Sequence, residues 1–413
     1  MDIHDVINNH LCIGCGLCYI DDNIFRMVYN DENGCFIPEI KFDLNYELAD
    51  NICPGKGYNI IELGKINNNN YNSKYDLELG YYSSFFAARM KDNNLLINSS
   101  SGGVMSGVLL YLLEEKIVDK VSVTKFITDA DGLKTKTFLT NNVKDILDSQ
   151  GSKYCPVNYN ELLDELKLFE GRVAIVGTPC VIAGIKGIQN LNNNDSIFRS
   201  QIVISLTNFC GGFKSYDNIK RLANIHKIKF HNISEFRFRG GGQPGSLRIV
   251  SNDGKVAETP YPNYVGLTGY SKMLRCHLCV DATGELADLS FGDAWIPRFE
   301  NDEKAWSIVV ARSKIGEIVL SKIIESRKMV TEEISLHELK YSQRFNINSK
   351  KNRQSSRMRL YKFFGYKIPV FDGGYYIDKI DFKTEIIVFF KHKFKLLLEK
   401  LGLYFLIYGK SKL

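Results

Sequence analysis

Along the chain, stretches whose apolar and polar residues follow a helix-like pattern alternate with stretches whose pattern is strand-like. Apolar residues recur every three or four positions where a helix covers a core, and they run on continuously where a strand is buried. This pattern predicts helices over 102–118, 161–169, 181–189 and 315–326. It predicts strands over 121–127, 172–176, 201–209, 235–239, 247–250, 287–291 and 307–311. The succession is typical of a mixed α/β or α+β fold, with more short strands in its second half.

A polar, asparagine-rich stretch interrupts this pattern. Residues 66–75 have the sequence Ile-Asn-Asn-Asn-Asn-Tyr-Asn-Ser-Lys-Tyr, which is too polar to contribute to a core. We interpret it as a linker. It divides a small cysteine-rich unit, residues 1–66, from a mixed α/β domain over 76–345.

Charge divides the chain a second time, at about residue 345. The 413 residues have a formal net charge of +6, but 346–413 alone holds 15 Lys and Arg against 5 Asp and Glu. The remainder is therefore weakly acidic, which argues against a nucleic-acid-binding protein. We predict a basic helical extension over 346–413.

The end of this extension is both apolar and basic. Lysines alternate there with apolar residues: Phe389, Phe390, Phe394, Leu397, Leu398 and Leu401, with Lys391, Lys393, Lys395 and Lys400. Two interpretations stay open, namely a helix lying on an anionic membrane surface and a helix packed on the body with a solvated lysine face. No run of about 18 apolar residues indicates a membrane span, and the N-terminus does not resemble a signal peptide. We expect a cytoplasmic protein, with peripheral contact at the inner face of the membrane as the second option.

The most specific local signal is a cysteine triplet near the N-terminus. Cys12, Cys15 and Cys18 stand at i, i+3 and i+6 in a loop that contains two glycines. Such a triplet can hold three corners of a [4Fe–4S] cluster whose fourth ligand is a remote cysteine before a proline, and Cys53 fits that description. Zinc is the competing interpretation, although zinc sites usually present two separated CxxC pairs. Cys35 has no such pattern, and we predict a structural thiol.

Four further cysteines stand in three loops of the middle region. Cys276 and Cys279 form a lone CxxC pair, while Cys180 and Cys210 each follow a predicted strand. Because the carboxyl ends of strands in α/β folds gather at one edge, these loops can converge on a second cluster. The alternative is a pair of buried free cysteines at two of the positions. Cys155 is a competing candidate ligand.

Loops rich in glycine or serine accompany these cysteines, at 99–103, 151–154, 177–179 and 238–242. The first runs into a predicted helix, whose N-terminal amides can receive a phosphate. Neither GxGxxG after a first strand nor GxxxxGK[ST] occurs, so a Rossmann or P-loop site is not supported. Together the loops fit a cofactor with a pyrophosphate bound outside those two motifs.

The order of the motifs resembles the beta subunit family of coenzyme F420-reducing hydrogenases and dehydrogenases. The resemblance covers about residues 80–345, and an N-terminal ferredoxin unit is a common fusion in that family. It rests on Ser101-Gly-Gly, Gly151-Ser-Lys-Tyr, Gly177-Thr-Pro-Cys180, Phe209-Cys210, Cys276-x-x-Cys279-x-Asp281 and Glu285-Leu-Ala-Asp288-Leu-Ser-Phe-Gly-Asp293.

The resemblance implies an iron–sulfur flavoprotein with two [4Fe–4S] clusters and FAD. By match, Cys180, Cys210, Cys276 and Cys279 hold the second cluster, and Cys155 is left out. The implied FAD contacts are Ser101, Gly102, Gly103, Gly151, Ser152, Lys153, Tyr154, Gly177, Thr178 and Pro179. Lys153 and Asp293 are candidate proton donors, with cofactor contact or turn capping as the alternative for each.

The hypothesis that follows is a relay. Electrons pass from a ferredoxin-like donor through two clusters to FAD and on to a small or carrier-linked substrate. The alternatives are an electron-transfer subunit serving a partner enzyme and a zinc-stabilised interaction protein without redox function. The basic tail departs from the shorter hydrogenase subunits, which argues against a hydrogenase partner and against F420 as the substrate. By analogy alone, relatives with this layout are associated with bacterial cell-surface polysaccharide synthesis.

Overall fold

The computed structural model of the chain describes residues 1–20, 24–41, 46–68, 73–129, 132–190, 201–266, 271–302, 304–401 and 403. The N-terminal part consists of short elements around the cysteine loop. They are α1 (Ile3–Asn8), β1 (Phe25–Asn30), β2 (Cys35–Ile40), α2 (Glu47–Ile52), β3 (Gly57–Tyr58) and α3 (Ile60–Asn67).

The middle of the chain alternates strands and helices. Its first half contains β4 (Lys74–Asp76), β5 (Gly80–Tyr82), β6 (Ser84–Met90), α4 (Asn93–Ile97), α5 (Val104–Glu114), β7 (Lys120–Asp129), β8 (Gly132–Thr140), α6 (Val143–Asp148), α7 (Asn160–Leu168), β9 (Val173–Gly177), α8 (Pro179–Asn190) and β10 (Ile202–Asn208). Its second half contains α9 (Asp217–Ile225), β11 (Ile233–Arg237), β12 (Ser246–Ser251), β13 (Val256–Pro260), α10 (Leu274–His277), β14 (Leu289–Asp293), β15 (Ser307–Ala311), α11 (Lys314–Glu325) and β16 (Met329–Glu332). Every helix and strand that the sequence pattern predicts is present, with ends shifted by at most four residues.

The C-terminal part is helical. It contains α12 (Leu336–Ser342), α13 (Arg344–Ile347), a π-helical turn at Asn348–Asn352, α14 (Gln354–Phe363), β17 (Val370–Phe371) and α15 (Phe382–Lys400). Helical backbone therefore continues across residue 345, where the charge of the sequence changes. The strand β17 pairs in parallel with β3, so this part of the chain adjoins the N-terminal part.

A mixed eight-stranded sheet positions the chemically interesting loops. Its strand order is β16-β6-β15-β14-β10-β9-β7-β8. The four central strands β14, β10, β9 and β7 run parallel, and antiparallel strands flank them on both sides. The carboxyl ends of β9, β10 and β14 therefore share one edge. Cys180, Cys210 and Asp293 lie at or just beyond these strand ends.

Helices cover both faces of the sheet. On one face, α5 and α11 pack on apolar residues of the central strands. On the other face, α7 and α8 pack together with Ile13, Leu17 and Ile52 from the N-terminal part. Gly184 of α8 permits this close approach, because a Cβ there would lie 2.4 Å from Leu17 Cδ1. The cysteine-rich unit therefore shares a hydrophobic core with the sheet.

The predicted linker at 66–75 begins too early. Its first residues belong to α3, and the Asn67 side chain donates a hydrogen bond of 3.0 Å to the carbonyl of Leu286. Asn68 is buried, and the linker ends inside β4. Polarity misled the prediction because an asparagine can satisfy its amide on a distant backbone carbonyl. Residues 69–72 lie outside the described part of the chain.

The last helix, α15, packs on α14 through an aromatic contact. Phe389 is 7% exposed, and its ring centroid lies 4.7 Å from that of Phe364 and 5.1 Å from that of Tyr361. Glu385 is buried on the same side of α15 and pairs with Arg357 at 2.9 Å. The helix is thus held by both apolar and ionic contacts.

We expect Phe389→Ala to loosen α15, because deleting a buried phenylalanine ring costs roughly 3 kcal/mol or more. Amide hydrogen exchange in α15 should then accelerate by about 100-fold, if the helix opens locally. Phe390→Ala is the matched control, since Phe390 is 56% exposed and should change exchange little. Equal exchange rates in the two variants would contradict this packing.

Candidate functional site

Four thiols of the N-terminal part lie together. Cys12, Cys15, Cys18 and Cys53 interact electrostatically with one another, and burial raises the pKa of each, that of Cys12 to about 12. The amide of Gly14 points at the Cys12 sulfur, with an N–Sγ distance of 3.5 Å. Amide donors to sulfur are a common feature of iron–sulfur sites.

The two glycines of this loop are required by its shape. Gly14 and Gly16 have φ angles of +70° and +73°. A Cβ at Gly14 would lie 2.8 Å from the carbonyl oxygen of Phe36, and one at Gly16 would lie 2.1 Å from Asn158 Oδ1. Positive φ and close neighbours both favour glycine. Cys35 packs behind the loop, in the strand β2.

A second group of four thiols forms at the carboxyl edge of the sheet. Cys180 stands in the first turn of α8, Cys210 follows β10, and Cys276 and Cys279 lie in and just after α10. Cys180 interacts electrostatically with the other three. An isolated antiparallel β-bridge pairs the backbones of Lys214 and Lys272. It connects the segment just after Cys210 with the segment just before Cys276. The four residues that the resemblance selected are therefore brought together.

Polar groups surround this second set. The Gly212 amide lies 3.3 Å from the Cys210 sulfur, and the Thr178 hydroxyl lies 3.3 Å from the Cys180 sulfur. Lys350 is buried, with its ammonium 3.5 Å from the Cys279 sulfur and 2.6 Å from the carbonyl of Asp281. These donors can stabilise negative charge on sulfur.

The cations decide the ionisation of Cys279. Burial acts to raise the pKa of its thiol, but the charges of Lys350 and Arg275 outweigh burial and lower the pKa. At Cys180 and Cys276 burial prevails and raises the pKa to about 12 and about 11. Desolvation together with Lys350 lowers the pKa of Lys272, a third cation near Cys276, to about 8.

Arg275 lies between the two groups of thiols. It is fully buried, and its Nε donates a hydrogen bond of 2.8 Å to the carbonyl of Pro54, next to Cys53. It also interacts electrostatically with Cys279 and Cys180 of the second set. The Arg275 guanidinium thus binds the backbone beside the first set of thiols and interacts electrostatically with two thiols of the second set.

The geometry also places the remaining cysteine. Cys155 lies in a separate hydrophobic cluster with Tyr216 and Phe236. It is buried, and its electrostatic neighbour is Lys153 rather than a thiol. Among the described residues, no three His, Cys, Asp or Glu side chains stand close enough to hold a single metal ion.

Three of the glycine- and serine-bearing loops meet near the other side of this edge. The Ser100 hydroxyl lies 3.2 Å from that of Ser152. The buried Arg239 donates to the carbonyls of Ser100 and Pro244, and its Nη1 lies 2.5 Å from Asp293 Oδ2. Gly151 permits the approach, because a Cβ there would lie 2.6 Å from the Arg239 carbonyl oxygen.

A cavity of about 380 Å³ opens beside these loops. It lies between the loop at 150–153 and the strand β11, with β7 and β8 forming part of its wall. Gly151, Ser152, Lys153, Arg237 and Arg239 are among its lining residues. The Nε of Arg237 is buried and has no hydrogen-bond partner among the described residues. A buried donor without an acceptor, beside a cavity, is available to an acceptor atom of a bound ligand.

The ten residues expected to contact FAD do not form one cradle. Gly151, Ser152 and Lys153 line the cavity, and Tyr154 follows them, its ring centroid 5.3 Å from that of Phe238. The Ser101 hydroxyl and the Gly102 amide are engaged by Ser307, and Gly103 caps α5 with φ +69°. Gly177, Thr178 and Pro179 lie beside Cys180. Of the amides expected to receive a phosphate, that of Gly102 is therefore already bonded.

The two candidate proton donors have protein partners. The Lys153 ammonium donates to the carbonyls of Ser149, Gln150 and Gly151, and burial lowers its pKa to about 8. Asp293 is paired with Arg239. The geometry thus gives Asp293 an ion pair with a buried arginine, a structural role different from the turn capping considered above.

Sequence reasoning missed the cations around the second set of thiols. Lys350 and Lys351 were counted in the positive charge of the C-terminal extension, yet both are buried, and Lys351 pairs with Glu285. Arg275 directly precedes the CxxC pair, and that position was the available signal. Arg237 sits at the end of β11 with no motif around it.

Fold and site together define a mixed α/β protein with two sets of four thiols and an adjoining cavity that contains arginines. Two family models match the chain, and both describe the beta subunit of coenzyme F420 hydrogenase/dehydrogenase. The model of its N-terminal region matches residues 85–164, and the model of its C terminus matches residues 170–336. The chain belongs to this family.

Curated relatives agree with the family models. The chain is 26% identical to the coenzyme F420 hydrogenase subunit beta of Methanococcus voltae over 261 residues, which are 62% of this chain and 87% of the relative. It is 23% identical to the coenzyme F420-dependent sulfite reductase of Methanocaldococcus jannaschii over 368 residues, 86% of this chain and 52% of the relative. The second alignment is longer than the region of the family models, so it extends into the flanking parts.

A solved structure shares the fold. A chain of the F420-reducing [NiFe] hydrogenase complex from Methanosarcina barkeri superposes with a TM-score of 0.56 at 21% identity. The match covers 70% of this chain and 96% of that chain. The core of the fold therefore corresponds to nearly the whole of that protein.

We expect Asp293→Ala to destabilise the protein by about 3 kcal/mol, because it leaves the buried Arg239 guanidinium without its counter-ion. Denaturant unfolding measures this loss of unfolding free energy, with the same dependence on denaturant concentration applied to every variant. Glu114→Ala is the control, since Glu114 pairs with Lys328 at the surface and should cost under about 1 kcal/mol. An equally small loss in both variants would contradict a structural role for Asp293.

Proposed function

We propose that this chain is an iron–sulfur flavoprotein that carries electrons, with two [4Fe–4S] clusters and FAD. The observation that carries the proposal is the grouping of eight thiols into two sets of four, joined by the buried Arg275. Family membership supports the coarser part, a redox role, because the relatives are named as subunits or forms of hydrogenase, sulfite reductase and formate dehydrogenase.

The residues fit iron–sulfur clusters chemically. Cys12, Cys15, Cys18 and Cys53 would hold one cluster, and Cys180, Cys210, Cys276 and Cys279 would hold the other. A cluster bound by four thiolates is an anion, and Lys350, Lys272 and Arg275 supply positive charge beside the second set. When bound, such clusters exchange single electrons and a flavin exchanges one or two. The chain's own residues fix the thiols, exclude water and offset the charge.

The cavity beside Arg237 fits part of a dinucleotide such as FAD. Its volume is within the usual range of about 300–1,000 Å³ for ligand sites. The unpaired Nε of Arg237 can face a phosphate oxygen, and Lys153, although it donates to backbone carbonyls, adds positive charge nearby. The loop at 151–153 can bring backbone amides close to the same ligand, because Gly151 has a φ of +85°.

The source and the destination of the electrons are the finer part of the proposal. A ferredoxin-like donor would feed the N-terminal set, and a small or carrier-linked substrate would receive electrons from the flavin. An alternative is that the chain is an electron-transfer subunit that delivers electrons to a partner enzyme. The relatives favour this alternative, because several are named as subunits of F420-dependent enzymes. F420 would take part only if the chain serves such a partner enzyme. No described residue supports a link to polysaccharide synthesis.

Iron content tests the clusters. Anaerobically purified protein should contain about eight iron atoms per chain. Cys276→Ala should lower this to about four, because one ligand set loses a thiolate, whereas Cys155→Ala should leave about eight. Absorbance near the charge-transfer bands of the clusters should fall in parallel. Zinc in place of iron would reject the redox proposal and favour the zinc-stabilised alternative.

Flavin affinity tests the cavity. Arg237→Met should weaken FAD binding by roughly 10- to 100-fold, the effect of losing one charge-assisted hydrogen bond. Titration of flavin-free protein, followed by flavin fluorescence, measures the dissociation constant. Arg172→Met is the control, since Arg172 pairs with Asp119 at the surface. Unchanged affinity in Arg237→Met, with iron content intact, would move the flavin out of this cavity.

A further inference from the structure

The helix α15 has an inward face that is fully engaged. Phe389 is buried on it, and Glu385 pairs with Arg353 at 2.7 Å and with Arg357 at 2.9 Å. The sequence left two alternatives for this segment, packing on the body or lying on a membrane. This face accounts for the packing, and the outward face needs its own explanation.

The outward face carries a continuous apolar stripe. Ile386, Phe390, Phe394, Leu397 and Leu401 stand at i, i+4, i+8, i+11 and i+15, which places them on one side of a helix. Each side chain is between 41% and 60% exposed. The stripe is about 22 Å long, at 1.5 Å per residue. Phe363 of α14 is 82% exposed, and Phe364 after it lies 6.1 Å from Phe390, ring to ring, so the apolar surface widens at that end.

Lysines flank the stripe on both sides. At 100° per residue, Lys391 projects beyond one border of the stripe and Lys393 beyond the other, and both are exposed. Among the described side chains of α15, Glu385 is the only acidic one, and it is paired on the inward face. The outward face is therefore apolar along its centre and positive along its edges.

We propose that this face lies in the plane of an anionic lipid bilayer. Amphipathic helices with apolar centres and lysine borders bind such surfaces by burying the stripe among acyl chains while the lysines meet the headgroups. A second copy of the chain is a poorer occupant. Two such stripes packed together would bring Lys391 and Lys393 of both copies close and set like charges against each other. No helix in the described part of the chain could itself cross a bilayer, so the contact would be peripheral.

The same helix contacts the loop that carries Cys276 and Cys279. Arg357, which binds Glu385, donates a hydrogen bond of 2.9 Å to the carbonyl of His277 inside the CxxC loop. The ring of His277 lies 5.2 Å from that of His392 on α15. Docking would therefore hold the second set of thiols one helix away from the lipid surface, where a carrier-linked substrate or a membrane partner is within reach.

Vesicle sedimentation with the full-length, anaerobically purified protein tests the proposal. The protein should sediment with vesicles of equal parts phosphatidylglycerol and phosphatidylcholine, and more weakly with phosphatidylcholine alone or at high ionic strength. Phe390→Ser combined with Phe394→Ser should weaken binding by about 100-fold, because two exposed apolar anchors are lost. Lys391→Gln combined with Lys393→Gln should weaken it by about 30-fold.

Matched variants separate these effects from general changes in surface properties. Val143 and Leu168 are exposed apolar residues on other helices, so Val143→Ser with Leu168→Ser should bind like the wild type. Lys65→Gln with Lys314→Gln is the charge control, since both lysines are exposed elsewhere. Deleting α15 is a poorer test, because Phe389 and Glu385 are needed for packing. Iron content and hydrogen exchange report whether each variant is folded.

Wild-type protein that fails to sediment with anionic vesicles would overturn the proposal. So would a stripe variant that binds as tightly as the wild type. If the stripe variant instead converts a dimer to a monomer in analytical ultracentrifugation, without any vesicle binding by the wild type, the occupant is a second copy. None of these outcomes depends on the redox proposal, because binding is measured without turnover.

Discussion

The structure around the second set of thiols depends on the compensation of buried positive charge. Lys350 and Arg275 are both buried, and an isolated charge in a protein interior is very unfavourable unless a counter-charge is near. The carbonyls of Asp281 and Pro54 satisfy some of their hydrogen-bonding capacity but supply no net charge. Cys279, whose pKa these cations lower, and the side chain of Asp281 are nearby groups that can provide negative charge. The ionisation of Cys279 and the burial of the cations therefore support each other.

This constraint explains why distant parts of the chain meet at one place. Lys350 comes from the π-helical turn after α13, Arg275 from α10 and Cys180 from α8. The N-terminal part joins them through the carbonyl of Pro54 and through the core shared with α8. The cysteine-rich unit and the C-terminal helices are thus built into the walls of the site, rather than attached to a finished domain.

Local patterns were sufficient to predict the strands, the main helices and the N-terminal group of cysteines, whereas the second group followed only from the family resemblance. Buried strands of the central sheet are continuous apolar runs, and the spacing of Cys12, Cys15 and Cys18 is itself the signal. Contacts between residues far apart in the sequence, and the burial that they cause, could not be predicted from local patterns. The amide of Gly102 donates a hydrogen bond to the hydroxyl of Ser307, a residue far away in sequence. Nothing in the sequence of the loop at 99–103 predicts that hydrogen bond. Lys350 and Lys351 contribute to composition as any solvated lysine would, although the fold buries both.

The two faces of α15 show how one helix can serve both stability and location. If packing were its whole role, the outward positions would carry no selection for apolar side chains, and polar residues there would favour solubility. Instead the apolar residues of the stripe face outward, while Glu385 and Phe389 fix the helix from within. A helix anchored inward by an ion pair and an aromatic contact presents its outer face in a defined orientation. Because the same ion pair reaches the CxxC loop through Arg357, that orientation also sets the distance between the outer surface and the second set of thiols.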